Sequence, residues 1–418
     1  MKVLLLCLLT LNLLGQTSTR SLLKADRVFD GEAMHTGWSI LVNGNVIEAV
    51  GELKSIPAGT TIISLPGTTL MPGMIEGHSH LFLHPYNETS WDDQVLNESR
   101  TERTARAINH AKATLMAGFT TVRDLGTEGA MYDDAALKSV IEKGIVPGPR
   151  MIAATRAIVA KGTYGPRKGN PDIDFPQGAA EVGNLSELIN EVRIQIGKGA
   201  DVVKIYADYR WGLKKEEAPT FTVEEIAAAV AVAKSGGRQV VAHASSVEGM
   251  RRAILGGVSV IEHGDNGTAE IFALMKEKTV ALCPTISAGE AVATYRAEKK
   301  GGVIDSSDIR DKMRAMNLAL KAGVTICMGG DVGVYTHGDN ARELIAMKKY
   351  GMSAIAVLQS ATSVNARVFG MGDKIGKLQA GMLADIIGVA GDPIANIEVT
   401  KQVKFVMKDG VVYKTDMQ

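Results

Sequence analysis

The middle of the chain alternates between short apolar runs and longer segments with helical periodicity. Apolar runs without polar alternation are typical of strands that are buried on both faces, as in parallel sheets. Helical segments separate most of these runs. One of the clearest is residues 222–235, where Thr222 and Glu225 are placed for a capping box and Gly236 stops the helix. The chain contains eight apolar runs of this kind. One ends at His80, and the others are residues 119–124, 150–155, 201–206, 239–243, 259–263, 280–284 and 325–331.

Eight strands that alternate with helices predict a (β/α)8 barrel, whose active sites lie at the C-terminal ends of the strands. We assign residues 72–377 to this barrel. Residues 162–178 are rich in Gly, Pro, Asp and Lys and show neither a strand nor a helix period. This segment is therefore predicted to be a long loop at the catalytic face.

Both ends of the chain have a different pattern, in which short runs alternate around turn residues. The sequence Asn43-Gly44 favours a hairpin turn between two of them. We expect the two ends to pair, so that residues 20–71 and 378–418 form one small β-sandwich domain. The predicted fold class is α/β, a (β/α)8 TIM barrel with a small β-sandwich domain built from both chain termini.

The N-terminus carries an apolar run at residues 3–14, preceded by Lys2 and followed by a small polar segment at 15–19. The run is too short to span a bilayer with confidence, so residues 1–19 are predicted to be a secretory signal peptide, not a membrane anchor. A buried first strand is the alternative, but a Leu-rich run without polar alternation fits a strand poorly. Export would place the protein in the periplasm or outside the cell.

The charge balance argues against nucleic acid as a partner. Among the 418 residues, Lys plus Arg and Asp plus Glu number 46 each, so the chain has no basic excess. After processing, only Cys283 and Cys327 would remain, too few for a disulfide framework. We therefore expect a small-molecule substrate, and the sequence leaves open whether the protein is a homo-oligomer.

Two histidines end the first apolar run of the predicted barrel. Because residues two apart in a strand point to the same side, His78 and His80 can present two imidazoles to one metal ion. A lone pair of this kind is more often a pair of surface or hydrogen-bonded histidines. The other strand ends are therefore needed to decide between these interpretations.

Further polar residues lie at or near the ends of later predicted strands. Lys204 lies within the fourth, where a lysine is costly unless its charge is removed or paired. His243, His263 and Asp331 end the fifth, sixth and eighth. Each alone is more simply a structural residue. Because these residues lie at the ends of successive strands of one predicted barrel, the whole set favours a metal centre.

The stretch at residues 72–80, Pro-Gly-Met-Ile-Glu-Gly-His-Ser-His, resembles the PG(M/L/F)(I/V)(D/E)xHxH signature of the amidohydrolase superfamily. The strand-end residues match the family pattern position by position, and the resemblance covers nearly the whole chain. It is closest to the branch of imidazolonepropionase-like proteins and metal-dependent prolidases that cleave Xaa-Pro dipeptides. One departure is Gly330, since family members commonly carry Gly-Thr-Asp where this chain has Gly329-Gly330-Asp331.

The resemblance implies a binuclear hydrolase with two divalent metal ions, zinc being the favoured ion. Lys204 would be carboxylated, and its carbamate would bridge the two ions. The implied ligands are His78, His80 and Asp331 for the first ion and His243 and His263 for the second. A metal-bridging hydroxide would attack the scissile carbonyl, while Asp331 would carry the proton to the leaving nitrogen.

Four residues near the strand ends are candidates for contacts with the substrate, although ordinary roles at the barrel rim are as good an interpretation. They are His84, Arg123, Tyr206 and His337. His35 and His110 fall outside the strand ends, so they are interpreted as structural.

The predicted reaction is hydrolysis of an amide bond in a dipeptide, Xaa-Pro-like, or in an N-acyl amino acid. A mononuclear imidazolonepropionase-like or deaminase-type hydrolase of a cyclic C–N bond is the first alternative, and Lys204 argues against it because such enzymes need no bridging lysine. A lactonase or organophosphate hydrolase would use the same metal centre and stays open. An inactive binding homologue would be expected to have lost at least one ligand, and all six are present.

Overall fold

The computed structural model describes residues 20–166, 172–212, 214–305 and 307–416. The predicted signal peptide at residues 1–19 lies outside these ranges. The N-terminal part of the described chain contains five strands. They are β1 (Arg20–Phe29), β2 (Met34–Thr36), β3 (Ser39–Asn43), β4 (Val46–Gly51) and β5 (Thr61–Pro72).

The middle of the chain alternates strands and helices, as the sequence pattern predicts. The strands are β6 (Met74–Ser79), β7 (Phe119–Asp124), β8 (Arg150–Ala153), β9 (Ile158–Ala160), β10 (Ala180–Val182), β11 (Val202–Tyr206), β12 (Asp208–Trp211), β13 (Glu216–Pro219), β14 (Gln239–Ala244), β15 (Val260–His263) and β16 (Ala281–Cys283). The helices are α1 (Trp91–Asn97), α2 (Arg100–Met116), α3 (Asp133–Glu142), α4 (Leu185–Gly197), α5 (Val223–Ser235), α6 (Val247–Leu255), α7 (Ala269–Glu277), α8 (Ile286–Lys300), α9 (Ser307–Ala322), α10 (Arg342–Lys349), α11 (Ala354–Gln359) and α12 (Asn365–Val368), with a π-helical turn at Ser360–Val364. The predicted capping box is confirmed at the start of α5, where Thr222 and Glu225 bond each other's backbone N–H groups.

Parallel strands form a closed ring around the centre. Strands β6, β7 and β8 pair in parallel, and so do β11, β14, β15 and β16. One junction is the hydrogen bond from Asp201 N–H to Ala153 O, at 2.8 Å. At the other, Cys327 N–H donates to Leu282 O at 2.8 Å and Gly77 N–H donates to Met328 O at 3.1 Å. The predicted barrel is confirmed, with the segment around Cys327 in the place of its eighth strand.

Two features at the catalytic face bear on the site. The long loop predicted at residues 162–178 lies between β9 and β10, and the structure describes it on either side of 167–171. The hairpin formed by β12 and β13 follows β11 directly and was not expected. Its sequence is largely polar and has no apolar alternation, so the pattern gave no strand signal.

The two ends of the chain pair in one sheet of eight strands. The C-terminal strands are β17 (Ile386–Ala390), β18 (Val403–Lys408) and β19 (Val411–Thr415), with a 3-10 turn at Ile397–Lys401. The strand order is β19-β18-β17-β5-β1-β3-β4, and β2 pairs with β1. Since β5 lies between β1 and β17, the predicted pairing of the two termini is confirmed. The domain boundaries at residues 71–72 and 377–378 stay a prediction.

One residue, Gly73, separates β5 of this sheet from β6 of the barrel, and its N–H donates to Asp385 O at 2.9 Å. A side chain at Gly73 would collide with Thr120. Within the described ranges, no helix combines the length and apolar character needed to cross a bilayer. Cys283 and Cys327 are both buried and free.

Candidate metal centre

The structure brings the predicted histidines and aspartate together at one end of the barrel. The ring centroids of His78 and His80 are 5.3 Å apart, those of His78 and His263 are 5.1 Å apart, and those of His243 and His263 are 4.4 Å apart. Asp331 Oδ1 lies 3.2 Å from His80 Nε2 and 3.6 Å from His78 Nε2. Five side chains from four segments of the barrel therefore face a common point.

Three of the histidines are oriented through Nδ1. His78 Nδ1 donates to a carboxylate oxygen of Glu262 at 2.9 Å, and His80 Nδ1 donates to the carbonyl of Gly126 at 2.8 Å. His263 Nδ1 lies 2.8 Å from the hydroxyl of Thr285. Such bonds fix the ring and leave Nε2 as the atom that can hold a metal ion.

His243 has the opposite orientation. Its Nδ1 is buried and has no hydrogen-bond partner in the part of the chain that the structure describes, while its Nε2 lies 3.7 Å from Asp208 Oδ1. Asp208 is itself fixed, because it accepts hydrogen bonds from the N–H groups of Ser245 and Ser246. The atom that His243 can offer to a metal ion is therefore Nδ1.

Lys204 is held inside the barrel on β11. Its side chain is 1% exposed, and its Nζ has no hydrogen-bond partner among the described residues. The Nζ lies 5.5 Å from the ring centroid of Tyr206, and Tyr206 stacks on His243 at 4.6 Å. A buried, unpartnered ammonium group is unfavourable. Both Lys204 Nζ and His243 Nδ1 thus fit a centre that is completed by a carboxylated lysine and bound cations, and imidazole and carboxylate groups are suitable ligands for divalent ions such as zinc.

Burial and charge set the protonation of the ligands. Burial lowers the pKa of His78 and His263 well below the usual histidine value and lowers that of His243 to about 3, and neighbouring positive charges add to the effect. Burial also lowers the pKa of Lys204. At neutral pH these three imidazoles are therefore neutral, the form that binds metal ions.

His80 and Asp331 behave as an ion pair. Burial lowers the pKa of His80, but the hydrogen bond and charge of Asp331 outweigh it and raise the value to about 9. Burial opposes ionisation of Asp331 as well, yet the hydrogen bond and charge of His80, together with the charge of Lys204, hold the pKa of its carboxyl below the usual range. Asp331 is therefore ionised at neutral pH, the form in which a carboxylate can hold a metal ion.

Three residues of the centre have a strained backbone conformation. His263, Thr285 and Asp331 have left-handed φ angles of 76°, 50° and 58°. Each such conformation costs about 1–3 kcal/mol for a residue with a side chain, and persists only where its surroundings enforce it. At Asp331 part of that support comes from Glu76, which accepts hydrogen bonds from the N–H groups of both His78 and Gly330.

The glycine at position 330, where the sequence departs from the family pattern, has a structural reason. A Cβ at Gly330 would lie 2.0 Å from Tyr335 Oη. The tyrosine hydroxyl therefore occupies the space that a threonine side chain would need, and the departure leaves Asp331 in place.

The centre opens into a cavity of about 460 Å³. Its lining includes tyrosines and Glu128, and it also includes charged residues of α8 and α9. Of the four predicted substrate contacts, Tyr206 lines this cavity, whereas His84, Arg123 and His337 are not among the residues that line it.

The other three side chains make their hydrogen bonds within the fold. Arg123 donates to Glu262 at 2.7 Å and to Gly77 O at 2.6 Å inside the barrel. The ring of His84 lies between the carboxylates of Glu88 and Glu98. His337 Nε2 lies 3.1 Å from Leu83 O, and its ring stacks on His110 at 4.3 Å. This geometry does not support substrate contacts for these three residues.

Several residues of the site were not found from the sequence. Glu262 and Thr285 orient ligands, Asp208 lies beside His243, and Glu128 lines the cavity next to His80. A signal was available for Glu262, because Arg123 and Glu262 are opposite charges in two buried strands and must be paired. Thr285 and Glu128 lie in connecting segments, and Asp208 begins the polar strand β12. Sequence pattern carries little information in both kinds of segment.

Comparisons with known proteins agree with this geometry. The family model described as "Amidohydrolase family" matches residues 69–413. Among solved structures, the chain is similar to a Xaa-Pro dipeptidase with methionine bound in its active site, with 33% identity, a TM-score of 0.86, and coverage of 95% of this chain and 100% of that one. Ochratoxinase of Aspergillus niger is 26% identical over 419 residues, covering 92% of this chain and 84% of ochratoxinase. Imidazolonepropionase of Deinococcus radiodurans is 24% identical over 388 residues, covering 87% and 88%.

Proposed function

This chain belongs to the amidohydrolase family, and from that premise we propose that it hydrolyses the amide bond of a dipeptide, Xaa-Pro-like, or of an N-acyl amino acid. The similarity to a Xaa-Pro dipeptidase at 33% identity supports a peptide-like substrate. The cavity of about 460 Å³ is large enough for a molecule of this size.

We propose that two divalent metal ions, zinc being favoured, complete the centre, with Lys204 carboxylated between them. The observation that carries this proposal is the buried Nζ of Lys204, which has no hydrogen-bond partner within the described ranges of the chain. In carboxylation the ammonium group of Lys204 first gives up one proton. Nζ then forms a bond to the carbon of carbon dioxide while one C–O π bond opens, and it loses a second proton. The product would be a carbamate anion with two oxygens, so a costly buried cation would be replaced by an anion that could hold divalent ions.

The residues divide the work of hydrolysis. Bound divalent ions would supply a water molecule whose pKa is lowered from 15.7 to about 7, together with polarisation of the scissile carbonyl. The ions would be held by four histidines, each through the ring nitrogen that its contacts within the protein leave available. These are His78, His80, His243 and His263. Asp331 accepts the proton from the attacking water and passes it to the leaving nitrogen.

A screen of the purified protein tests this function. Metal is removed with a chelator, zinc is restored in steps, and hydrolysis of a library of Xaa-Pro dipeptides and N-acyl amino acids is followed by amine release. We expect activity to rise up to about two equivalents of metal per chain, and a ¹³C NMR carbamate signal from labelled carbon dioxide that is absent in Lys204→Ala. Full activity at one equivalent or fewer would contradict the binuclear centre. Cleavage of lactones or phosphotriesters but of no amide would contradict the proposed substrate class.

A further inference from the structure

A buried carboxylate, Glu128, lies beside the metal centre without a complete set of partners. Its side chain is 2% exposed and lines the cavity. One oxygen, Oε2, accepts hydrogen bonds from Trp91 Nε1 at 2.9 Å and from the hydroxyl of Tyr164. The other oxygen, Oε1, is buried and accepts no hydrogen bond from the described residues. An ionised carboxylate with an unsatisfied buried oxygen is costly unless a ligand supplies the missing donor.

The neighbouring cations of the protein do not satisfy this oxygen. His80 Nδ1 is 3.9 Å from Glu128 Oε1, but it donates instead to Gly126 O at 2.8 Å. The guanidinium of Arg103 donates to the carbonyls of Phe82 and Thr127, and among the hydrogen bonds of the described residues none joins it to Glu128.

Glu128 has a strained backbone conformation. Its φ angle is 49°, in the left-handed region, between Gly126 and Gly129 with positive φ angles of 146° and 101°. A Cβ at Gly126 would lie 3.2 Å from Glu128 Oε1 and 3.6 Å from His80 Cε1, so the free oxygen and the ligand ring face the same small space. Strain of this kind at a site points to a functional requirement.

Aromatic side chains line the cavity together with Glu128. Tyr164 lies 4.9 Å from both Tyr206 and Tyr209 between ring centroids, and Tyr206 and Tyr209 are 5.6 Å apart. All three line the cavity, as does Tyr86. A carboxylate combined with the faces of aromatic rings is the arrangement that recognises an ammonium group, through a charge-assisted hydrogen bond and cation–π attraction.

We propose that Glu128 and the tyrosines Tyr86, Tyr164, Tyr206 and Tyr209 bind the free α-ammonium group of the substrate. This inference rests on the proposed amide hydrolysis and narrows it, because it selects dipeptides with a free N-terminus over N-acyl amino acids. In a dipeptide the α-ammonium group is two bonds from the scissile carbonyl carbon. A cation site one imidazole ring away from the metal centre therefore suits such a substrate.

The test compares substrates that differ only in that ammonium group. The best dipeptide from the screen and its N-acetyl derivative share the same scissile bond. For wild type we expect kcat/KM to be much higher on the free dipeptide. In Glu128→Gln, which keeps an oxygen for Trp91 and Tyr164, kcat/KM on the free dipeptide should fall by about 10–100-fold, with little change on the N-acetyl derivative. Equal losses on both substrates would show a general structural role and overturn the proposal.

Binding measurements keep the test independent of the reaction. The probes are L-alaninamide and N-acetyl-L-alaninamide, titrated calorimetrically into zinc-loaded protein. Wild type should bind the free amine more tightly, and Glu128→Gln should lose that preference. If this result is found while no amide is hydrolysed, the ammonium site stands and the proposed function fails. If wild type binds both probes equally, or neither, the ammonium site is wrong.

Two further variants test whether the preference for the free amine depends on Glu128 itself. Tyr164→Phe removes one hydrogen bond to Glu128 without changing charge, so it should weaken the amine preference by a smaller factor even if Glu128→Gln does not fold. Glu290→Gln changes another carboxylate that lines the cavity, one already bonded by Lys349 and Tyr350. It should keep the wild-type preference, and a loss as large as that of Glu128→Gln would overturn the assignment to Glu128.

Discussion

The ion pair between Arg123 and Glu262 supports both the barrel and the metal centre, and a substitution of Glu262 should separate the two roles. Both side chains are at most 1% exposed, and Arg123 donates to Glu262 at 2.7 Å. The second oxygen of Glu262 accepts the Nδ1 hydrogen of His78 at 2.9 Å. Glu262→Gln keeps the shape of the side chain but leaves the Arg123 cation buried without a counter-charge.

The expected size of the effect follows from this geometry. Removal of one partner of a buried ion pair typically costs about 3–5 kcal/mol of folding free energy, because the other charge stays buried. Loss of the carboxylate behind a metal-binding histidine typically weakens metal affinity about 10–100-fold. The exposed pair Arg251–Glu270, at 3.0 Å, is a matched control, and Glu270→Gln should cost at most about 1 kcal/mol.

Urea unfolding of the metal-free protein and competition with a chelating dye measure the two effects. In the double variant Arg123→Gln/Glu262→Gln both charges are gone, so the loss of stability should be about 1–3 kcal/mol less than the sum of the single losses. Metal affinity should stay low in the double variant, because His78 still lacks its carboxylate. If Glu262→Gln is as stable as Glu270→Gln and binds zinc like wild type, the reasoning is refuted.

Three other predictions concern the centre and the chain end. Lys204→Ala should lose metal, and short carboxylic acids should partly restore its activity. Asp331→Asn should largely retain metal, while its turnover falls at least about 10²–10⁴-fold. Near-native turnover in Asp331→Asn would contradict the proposed proton transfer. Gly330→Thr should lower the free energy of unfolding by about 1–3 kcal/mol, measured in urea, because its side chain overpacks against Tyr335. Adding Tyr335→Phe should recover part of that loss. A Gly330→Thr protein as stable as wild type would contradict the steric explanation. We also propose that residues 1–19 direct export, so N-terminal sequencing of protein from its own host should find a start between Gly15 and Ser21, and an intact residue 1 on cytoplasmic protein would contradict this.

The barrel was predictable because its strands are buried on both faces and its helices have clear boundaries. The capping box of Thr222 and Glu225 and the apolar runs before His243 and His263 are signals that depend only on neighbouring residues. The same holds for the placement of the metal-site residues, since a barrel brings successive strand ends to one face. The composite sheet followed from the matching patterns at the two ends of the chain.

Residues whose roles depend on distant partners were harder to interpret. Arg123 is next to a strand end in sequence, yet its side chain turns into the barrel toward Glu262. Glu128 gave no signal, because its importance comes from a left-handed backbone and from Tyr164 on a separate loop. Neither a conformation of that kind nor the path of a loop is encoded in hydrophobic periodicity.

The junction at Gly73 has a consequence for the order in which the molecule can fold. Strand β5 continues almost directly into the strand that carries His78, and its antiparallel neighbour is β17, which is made much later in synthesis. Until then one edge of β5 is an open template for pairing with other chains. Contacts so far apart along the chain also slow folding. Loss of β17, β18 and β19 would therefore act on His78 and His80, although no residue of these strands is among the described residues that line the cavity.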